Sequence, residues 1–374
     1  MNKKILFLTG TRADFGKLKP LINEVERSAT LEAHVFVTGM HMLPKYGSTY
    51  DEVLKCGYKN IHYFINQRHN DSLDEILANT IHGLSNFVIL VKPDMLIVHG
   101  DRCEALAGAI VGAMNNILVG HIEGGEISGT IDESIRHSVS KLAHIHFVAN
   151  DEAKKRLIQM GEAQENIFVI GSPDIDLMLS TDLPLLAEVK AHYDIPYERY
   201  SLFAYHPVTS SLHDLNRNIV EVASALIESK RNYVAIYPNN DPGSDIILNE
   251  LFQLEKSPRI KLFPSIRFEA YLVLLKNCEF IIGNSSAGVR EAPFYSIPSI
   301  NIGTRQQCRF RHPTIIDVKE DKDKILNSLN RISDVPHMPS DKFGDGRSAD
   351  RFAELLRRDD VWKISIQKRF LDID

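Results

Sequence analysis

The sequence predicts an α/β protein made of two Rossmann-like, doubly wound domains, and three observations carry that reading. Short runs rich in β-branched residues recur between longer stretches of helical period. The pattern restarts in the second half of the chain, and glycine-bearing motifs fall just after the strand-like runs. With 374 residues and 44% hydrophobic content, the chain has enough apolar material for two cores.

In the first half, strands are expected at 4–9, 32–38, 94–99, 117–122 and 145–149, with helices at 16–27, 72–91, 103–114, 132–143 and 151–160. A break at Gly171-Ser172-Pro173 and Pro184 precedes a second set of strands at 201–205, 233–237, 260–263, 279–282 and 299–302. The domains are therefore read as 1–170 and 171–347, with a charged periodic helix at 348–374 packing back on the first. Open α/β sheets bind ligands at the carboxyl ends of their strands, so two facing domains place the active site in an interdomain cleft. Gly-Thr-Arg follows a strand twice, at Gly10-Thr11-Arg12 and Gly303-Thr304-Arg305, an echo too short to prove duplication, with chance recurrence the plainer account.

Charge and composition exclude several classes of partner. Lysine and arginine number 43 against 49 acids, a net charge of −6, which argues against nucleic acid while leaving room for a small anion. Met1-Asn2-Lys3-Lys4 resembles a signal n-region, but Thr9, Gly10 and Arg12 interrupt the apolar stretch behind it. Elsewhere the apolar runs, such as Phe87 to Val91, fall far short of the ~18 residues of a membrane span. Cys56, Cys103, Cys278 and Cys308 show no Cys-x-x-Cys spacing, which fits a reducing cytoplasm.

Chemistry concentrates after the strands. Gly10-Thr11-Arg12-Ala13-Asp14-Phe15-Gly16-Lys17 opens a helix with Arg12 and Lys17 near its start, a place suited to phosphate or simply a turn with solvated cations. His99-Gly100-Asp101-Arg102 and His121-Ile122-Glu123-Gly124-Gly125-Glu126 end consecutive strands, which brings Asp101 and Glu123 to one rim. Asp132 follows at the start of the helix that carries Arg136 and His137, where a helix-capping role is the plainer alternative. Crowded carboxylates suit paired acid and base chemistry, because not all of them ionise cheaply. His99, Asp101, His121, Glu123, His144 and His146 have the side chains for a metal, but no helical His-x-x-x-His spacing supports one. In the second half, Ser285 and Ser286 of Gly283-Asn284-Ser285-Ser286 are expected to open a helix and add hydroxyls to its bare amides, with Glu291 one to two turns in. Two more segments follow strands there, His206-Pro207-Val208-Thr209 and Tyr237-Pro238-Asn239-Asn240-Asp241.

Together these motifs resemble the UDP-N-acetylglucosamine 2-epimerases. Ala13-Asp14, where the non-hydrolysing branch usually has Pro-Glu, points to the hydrolysing branch that feeds sialic acid synthesis. The resemblance implies a glycosyltransferase-B-type fold, a UDP-sugar substrate and UDP product, no cofactor and no metal, and a homodimer or homotetramer. It implies Asp101, Glu123 and Asp132 as catalytic acids and bases, and Arg12, Arg102, His206, Asn239, Ser285, Ser286, Glu291 and Arg305 as substrate-binding residues. Lys17 and His41, the latter in Gly39-Met40-His41, join that binding set. Departure of UDP from carbon 1 makes the carbon 2 proton removable, and water then adds across the 2-acetamidoglucal to give N-acetylmannosamine. The same reaction on UDP-N,N'-diacetylbacillosamine is the nearest rival. A UDP-sugar glycosyltransferase and a non-catalytic UDP-sugar binding protein are more distant ones.

Overall fold

Seven parallel strands form the first sheet of the computed structural model, which describes residues 2–68 and 71–372. They are β1 (Lys3–Thr9), β2 (Leu31–Val37), β3 (Ile61–Tyr63), β4 (Met95–His99), β5 (Leu118–Ile122), β6 (Ile145–Val148) and β7 (Ile167–Val169). Their order is β3-β2-β1-β4-β5-β6-β7. β1 runs through the centre with Ile5, Leu6, Phe7 and Leu8 all buried, which is why it reads as a continuous apolar run rather than an alternating one. Helices α1 (Arg12–Arg27), α2 (Tyr50–Lys55), α3 (Leu73–Val91), α4 (Cys103–Met114), α5 (Ile131–Leu142), α6 (Asp151–Gln159) and α7 (Pro173–Met178) connect or flank these strands. The chain winds outward from β1 to β3, then returns to β4 on the other side of β1. The gap between the ends of β1 and β4 is thus a topological switch point, the crevice where open α/β sheets hold ligands.

The second unit repeats the plan with six parallel strands. These are β8 (Ser201–Ala204), β9 (Tyr233–Ile236), β10 (Ile260–Phe263), β11 (Ile281–Gly283), β12 (Ser299–Ile302) and β13 (Ile315–Val318), in the order β10-β9-β8-β11-β12-β13. Its switch point lies between β8 and β11. Helices α8 (Leu186–His192), α9 (Leu215–Glu228), α10 (Ser244–Leu254), α11 (Phe268–Lys276), α12 (Glu291–Phe294) and α13 (Lys322–Asn330) belong to it. Helix α14 (Ser348–Leu356) belongs to the first unit, where Phe352, Leu355 and Leu356 join the β1 core.

The units comprise Met1–Glu126, Asp132–Ser180 and Lys342–Asp374 on one side, and Ile127–Ile131 with Thr181–Asp341 on the other. The expected fold class holds, and all ten expected strands are present. Two details differ from expectation. The tail helix ends at Leu356, followed by a 3-10 turn at Val361–Lys363 and extended chain; Lys368 there donates to the carbonyls of Lys141 and Ala143 at 2.8 and 2.7 Å, and so caps the end of α5. Helix α1 begins at Arg12 rather than near 16, because Thr11 and Asp14 form a capping box.

Candidate active site

The turn after β1 is built around Asp14. Its carboxylate accepts hydrogen bonds from Thr9 Oγ1 (2.6 Å), Gly10 N (2.9 Å) and Thr11 N (3.0 Å), while Thr11 Oγ1 accepts from Asp14 N. Burial raises the Asp14 carboxyl above its ordinary range, against the pull of those donors. Arg12 is thereby fixed as the first residue of α1. One edge of its guanidinium pairs with Glu52 on α2, while Nε and Nη1 are buried without a protein partner. A buried guanidinium with unmatched donors is a ready anion receptor.

His41 serves the same turn from beneath. It is fully buried, its Nε2 lies 3.0 Å from Thr9 Oγ1, and its Nδ1 lies 2.7 Å from Thr49 Oγ1. Burial, aided by the charge on Arg12, pushes its pKa down to about 3, so it is neutral. Both ring nitrogens of this expected substrate-binding residue meet threonine hydroxyls. Lys17 is also taken up by the protein: its Nζ is 3.2 Å from Glu123 Oε2 and 3.2 Å from Asp174 Oδ2.

β4 and β5 are neighbours in register, His99 opposite Ile122, so the loops after them emerge side by side. Asp101 pairs with Arg136 of α5, whose side chain is fully buried and also donates to Glu126 O at 3.1 Å. Burial alone would lower the Arg136 pKa, but the charges of Asp101, Glu126 and Asp132 overcome it and raise it, so the guanidinium is a fixed cation among three acids. Asp132 lies in the first turn of α5, four residues before Arg136 and on the same face. His121 Nε2 donates to Gly100 O at 2.8 Å, and its Nδ1 meets Ser140 Oγ at 3.0 Å, which ties α5 to the Asp101 turn. Burial drives His121 down to about 3, so it acts as a neutral brace.

Glu123 is the most constrained acid of the group. Its backbone sits at φ +63, a left-handed conformation that costs a non-glycine residue ~1 kcal/mol or more. Its buried carboxylate receives Ser172 Oγ and Lys17 Nζ, with His99 Nε2 at 3.2 Å. Arg102 caps the backbone of α4, with its Nε 3.7 Å from Glu104 Oε2.

In the second unit the ends of β8 and β11 are laced together. His206 N donates to Asn284 Oδ1 (2.6 Å), and Asn284 Nδ2 returns a bond to His206 O (2.9 Å). Asn239 N donates to His206 Nδ1 at 3.0 Å, which leaves the proton of a neutral ring on Nε2. The Asn239 amide donates to Asp241 and keeps a buried, unpartnered Oδ1. Arg305 reaches Asn284 O with Nη1 at 3.3 Å. Gly283, at φ +132, has no room for a Cβ, which would come within 2.0 Å of Ala204 O.

The helix expected after Ser285 is not formed as such. Ser285 caps a three-residue 3-10 turn, Ser286–Gly288, and the one-turn helix α12 begins only at Glu291, which is buried. Gly283 precedes this segment, and within it Gly288 packs so close to Ser299 that a Cβ would come within 2.7 Å of Ser299 Oγ. Its polar groups are therefore individual amides and hydroxyls, without the dipole of a long helix.

The structure thus gathers Asp101, Asp132 and Arg136 in one group, and Lys17 and Glu123 in another, while His206, Asn239, Ser285 and Arg305 belong to the turns of the second sheet. Ser172 and Asp174 were missed. They lie just after β7, in a stretch whose Gly and Pro read as a domain boundary; the position after a strand was the available signal. Among the described residues no three His, Cys, Asp or Glu side chains are grouped to hold a metal ion, and no helix is long and apolar enough to cross a membrane.

Comparison with known proteins bears on this site. Residues 23–357 match the family model described as UDP-N-acetylglucosamine 2-epimerase. A protein of Neisseria meningitidis named UDP-N-acetylglucosamine 2-epimerase is 48% identical over all of both chains. The Legionella pneumophila protein named UDP-N,N'-diacetylbacillosamine 2-epimerase (hydrolyzing) is 32% identical over 96% of each. The crystal structure of a Methanocaldococcus jannaschii UDP-GlcNAc 2-epimerase in complex with UDP-GlcNAc and UDP shares the fold, with a TM-score of 0.81, 22% identity and coverage of 95% of this chain and 99% of that one. The chain belongs to the UDP-N-acetylglucosamine 2-epimerase family.

Proposed function

We propose that this chain is a hydrolysing UDP-N-acetylglucosamine 2-epimerase, converting UDP-GlcNAc and water to N-acetylmannosamine and UDP for sialic acid synthesis in the cytoplasm. The observation that carries the reading is the pair of positioned acids at the ends of adjacent strands, Asp101 on Arg136 and Glu123 on Lys17 and Ser172. Such acids serve a proton abstraction and a later protonation; a sugar-binding protein has no need of them.

The leaving group does the activating. As the bond from carbon 1 to the diphosphate breaks, cationic character at carbon 1 acidifies the carbon 2 hydrogen, and a carboxylate removes it to give 2-acetamidoglucal. Arg12, through its unmatched Nε and Nη1, and Arg102, Arg305, His206, Ser285 and Ser286 are assigned to the departing UDP. Asn239 and Glu291 are assigned to the nucleoside. Water then adds to carbon 1 and a proton to carbon 2 from the opposite face, with Asp101, Glu123 and Asp132 as the donors and acceptors.

Incubation with UDP-GlcNAc in heavy water, followed by proton NMR, tests this. Free N-acetylmannosamine with deuterium at carbon 2 is expected. UDP-N-acetylmannosamine as the product would make the enzyme non-hydrolysing, and turnover of UDP-N,N'-diacetylbacillosamine alone would move the substrate to that sugar. Asp101→Asn and Glu123→Gln should each lower turnover by ~10²-fold or more while UDP still binds in a calorimetric titration.

A further inference from the structure

Lys17 has two claimants. Its ammonium lies 3.2 Å from Glu123 Oε2 and 3.2 Å from Asp174 Oδ2, and all three side chains are nearly dry, with Lys17 at 7%, Glu123 at 4% and Asp174 at 1% exposure. Water therefore screens little of their interaction. We propose that Asp174 shares the Lys17 ammonium with Glu123 and is thereby a positioning residue that tunes proton transfer at Glu123.

The charge count gives the reason. With Glu123 ionised, Lys17, Glu123 and Asp174 sum to −1; with the substrate proton on Glu123, they sum to zero. Proton uptake thus neutralises the cluster, and Lys17 retains Asp174 as its counter-charge. Without the Asp174 charge, the same step would take the cluster from zero to +1 in a dry site, and Glu123 would be a weaker base.

Other groups also face this cluster. His99 approaches from the end of β4 at 3.2 Å, and the uncharged Ser172 hydroxyl donates to Oε1. Asp14 on α1 is within electrostatic reach of His99. Asp176, beyond Asp174 on α7, is held by the amides of Ser348 and Ala349 at 3.0 and 2.7 Å. None of these substitutes for Lys17 as the cation between two carboxylates.

The inference rests on the reading of Glu123 as a proton-transfer residue, and its test separates the two. Profiles of kcat/KM against pH would be measured for the parent enzyme and for Asp174→Asn, Lys17→Gln and Lys17→Arg, each first shown to bind UDP. Asp174→Asn should move the acid limb to lower pH with a fall in kcat. Lys17→Gln should move it to higher pH, by roughly 1–3 units for loss of an adjacent opposite charge, and Lys17→Arg should restore it. A merely structural role would not shift the limb in opposite directions. Limbs that stay in place, or that move the same way in both variants, would overturn the proposal. Should Asp174→Asn not fold, the Lys17 pair decides: a limb unmoved by Lys17→Gln overturns it equally. Near-normal turnover by Glu123→Gln would instead overturn the underlying reading of Glu123.

Discussion

The same tripeptide follows a strand in each unit, and the two copies fold differently. After β1, Thr11 is the N-cap of a 16-residue helix, and Arg12 is that helix's first residue. After β12, Gly303 turns at φ +76, the chain enters successive turns without a helix, and Arg305 is oriented by the carbonyl of Asn284. The deciding residue lies two positions past the arginine. Asp14 completes a capping box and is buried; its counterpart Gln307 is exposed and completes nothing. A Gly-Thr-Arg turn thus presents an arginine in either case, but only the first is rigidified by its own sequence. The recurrence carries no sign of a duplicated structural element.

The largest expected effect separates those two positions. Asp14→Ala removes the acceptor of three donors, Thr9 Oγ1, Gly10 N and Thr11 N, and should cost about 3 kcal/mol in urea unfolding. Gln307→Ala should stay within about 0.5 kcal/mol. Acid sharpens the contrast. Because burial raises the Asp14 carboxyl, the folded state holds its proton more tightly than the unfolded chain does. Asp14 therefore favours folding more as pH falls through its raised folded value toward its ordinary one, and the stability gap to Asp14→Ala should widen between pH 7 and about 4. A narrowing gap would contradict the burial argument.

Next in size is the effect on the ligand. If both arginines meet the diphosphate, Arg12→Ala and Arg305→Ala should each weaken UDP by about 1.5–3 kcal/mol in calorimetry, the scale of a charge-assisted contact. The routes differ, because Arg12 is aimed by a carboxylate and Arg305 by a carbonyl. Glu52→Gln should therefore weaken UDP binding in the parent enzyme and have no further effect in the Arg12→Ala background. Additive losses in that cycle would show that Glu52 acts by another path.

Most of the fold was legible from the sequence because its central strands are buried on both faces and stand out as apolar runs. The three unforeseen strands, β3, β7 and β13, are sheet edges with exposed or half-exposed residues: Tyr63 is 59% exposed and Val169 38%. One-sided or absent burial erases the signal that marked the others. The acids after β4 and β5 were readable as residues after strands, whereas their partners were not. Asp174 approaches Lys17 from 157 positions away, and Ser172 approaches Glu123 from 49 away, so only the tertiary fold brings them together. The surroundings of His41 were equally illegible: the resemblance marked it as a binding residue, and only the fold shows that Thr9 and Thr49 hydroxyls meet its two ring nitrogens.

The smallest effect tests the cap itself. Thr11 Oγ1 accepts one hydrogen bond, from Asp14 N at 3.2 Å, and its loss leaves the Asp14 carboxylate still bound to Thr9 and Gly10. Thr11→Ala should accordingly cost about 1 kcal/mol, the usual value of an N-cap side chain, and less than Asp14→Ala. Thr304 is exposed and precedes no helix, so Thr304→Ala should fall within about 0.5 kcal/mol of the parent. Thr11→Ser keeps the acceptor and should recover most of the loss. Equal costs for Thr11→Ala and Thr304→Ala would mean that the helix start after β1 is held by packing of α1 alone, and the distinction drawn between the two turns would not stand.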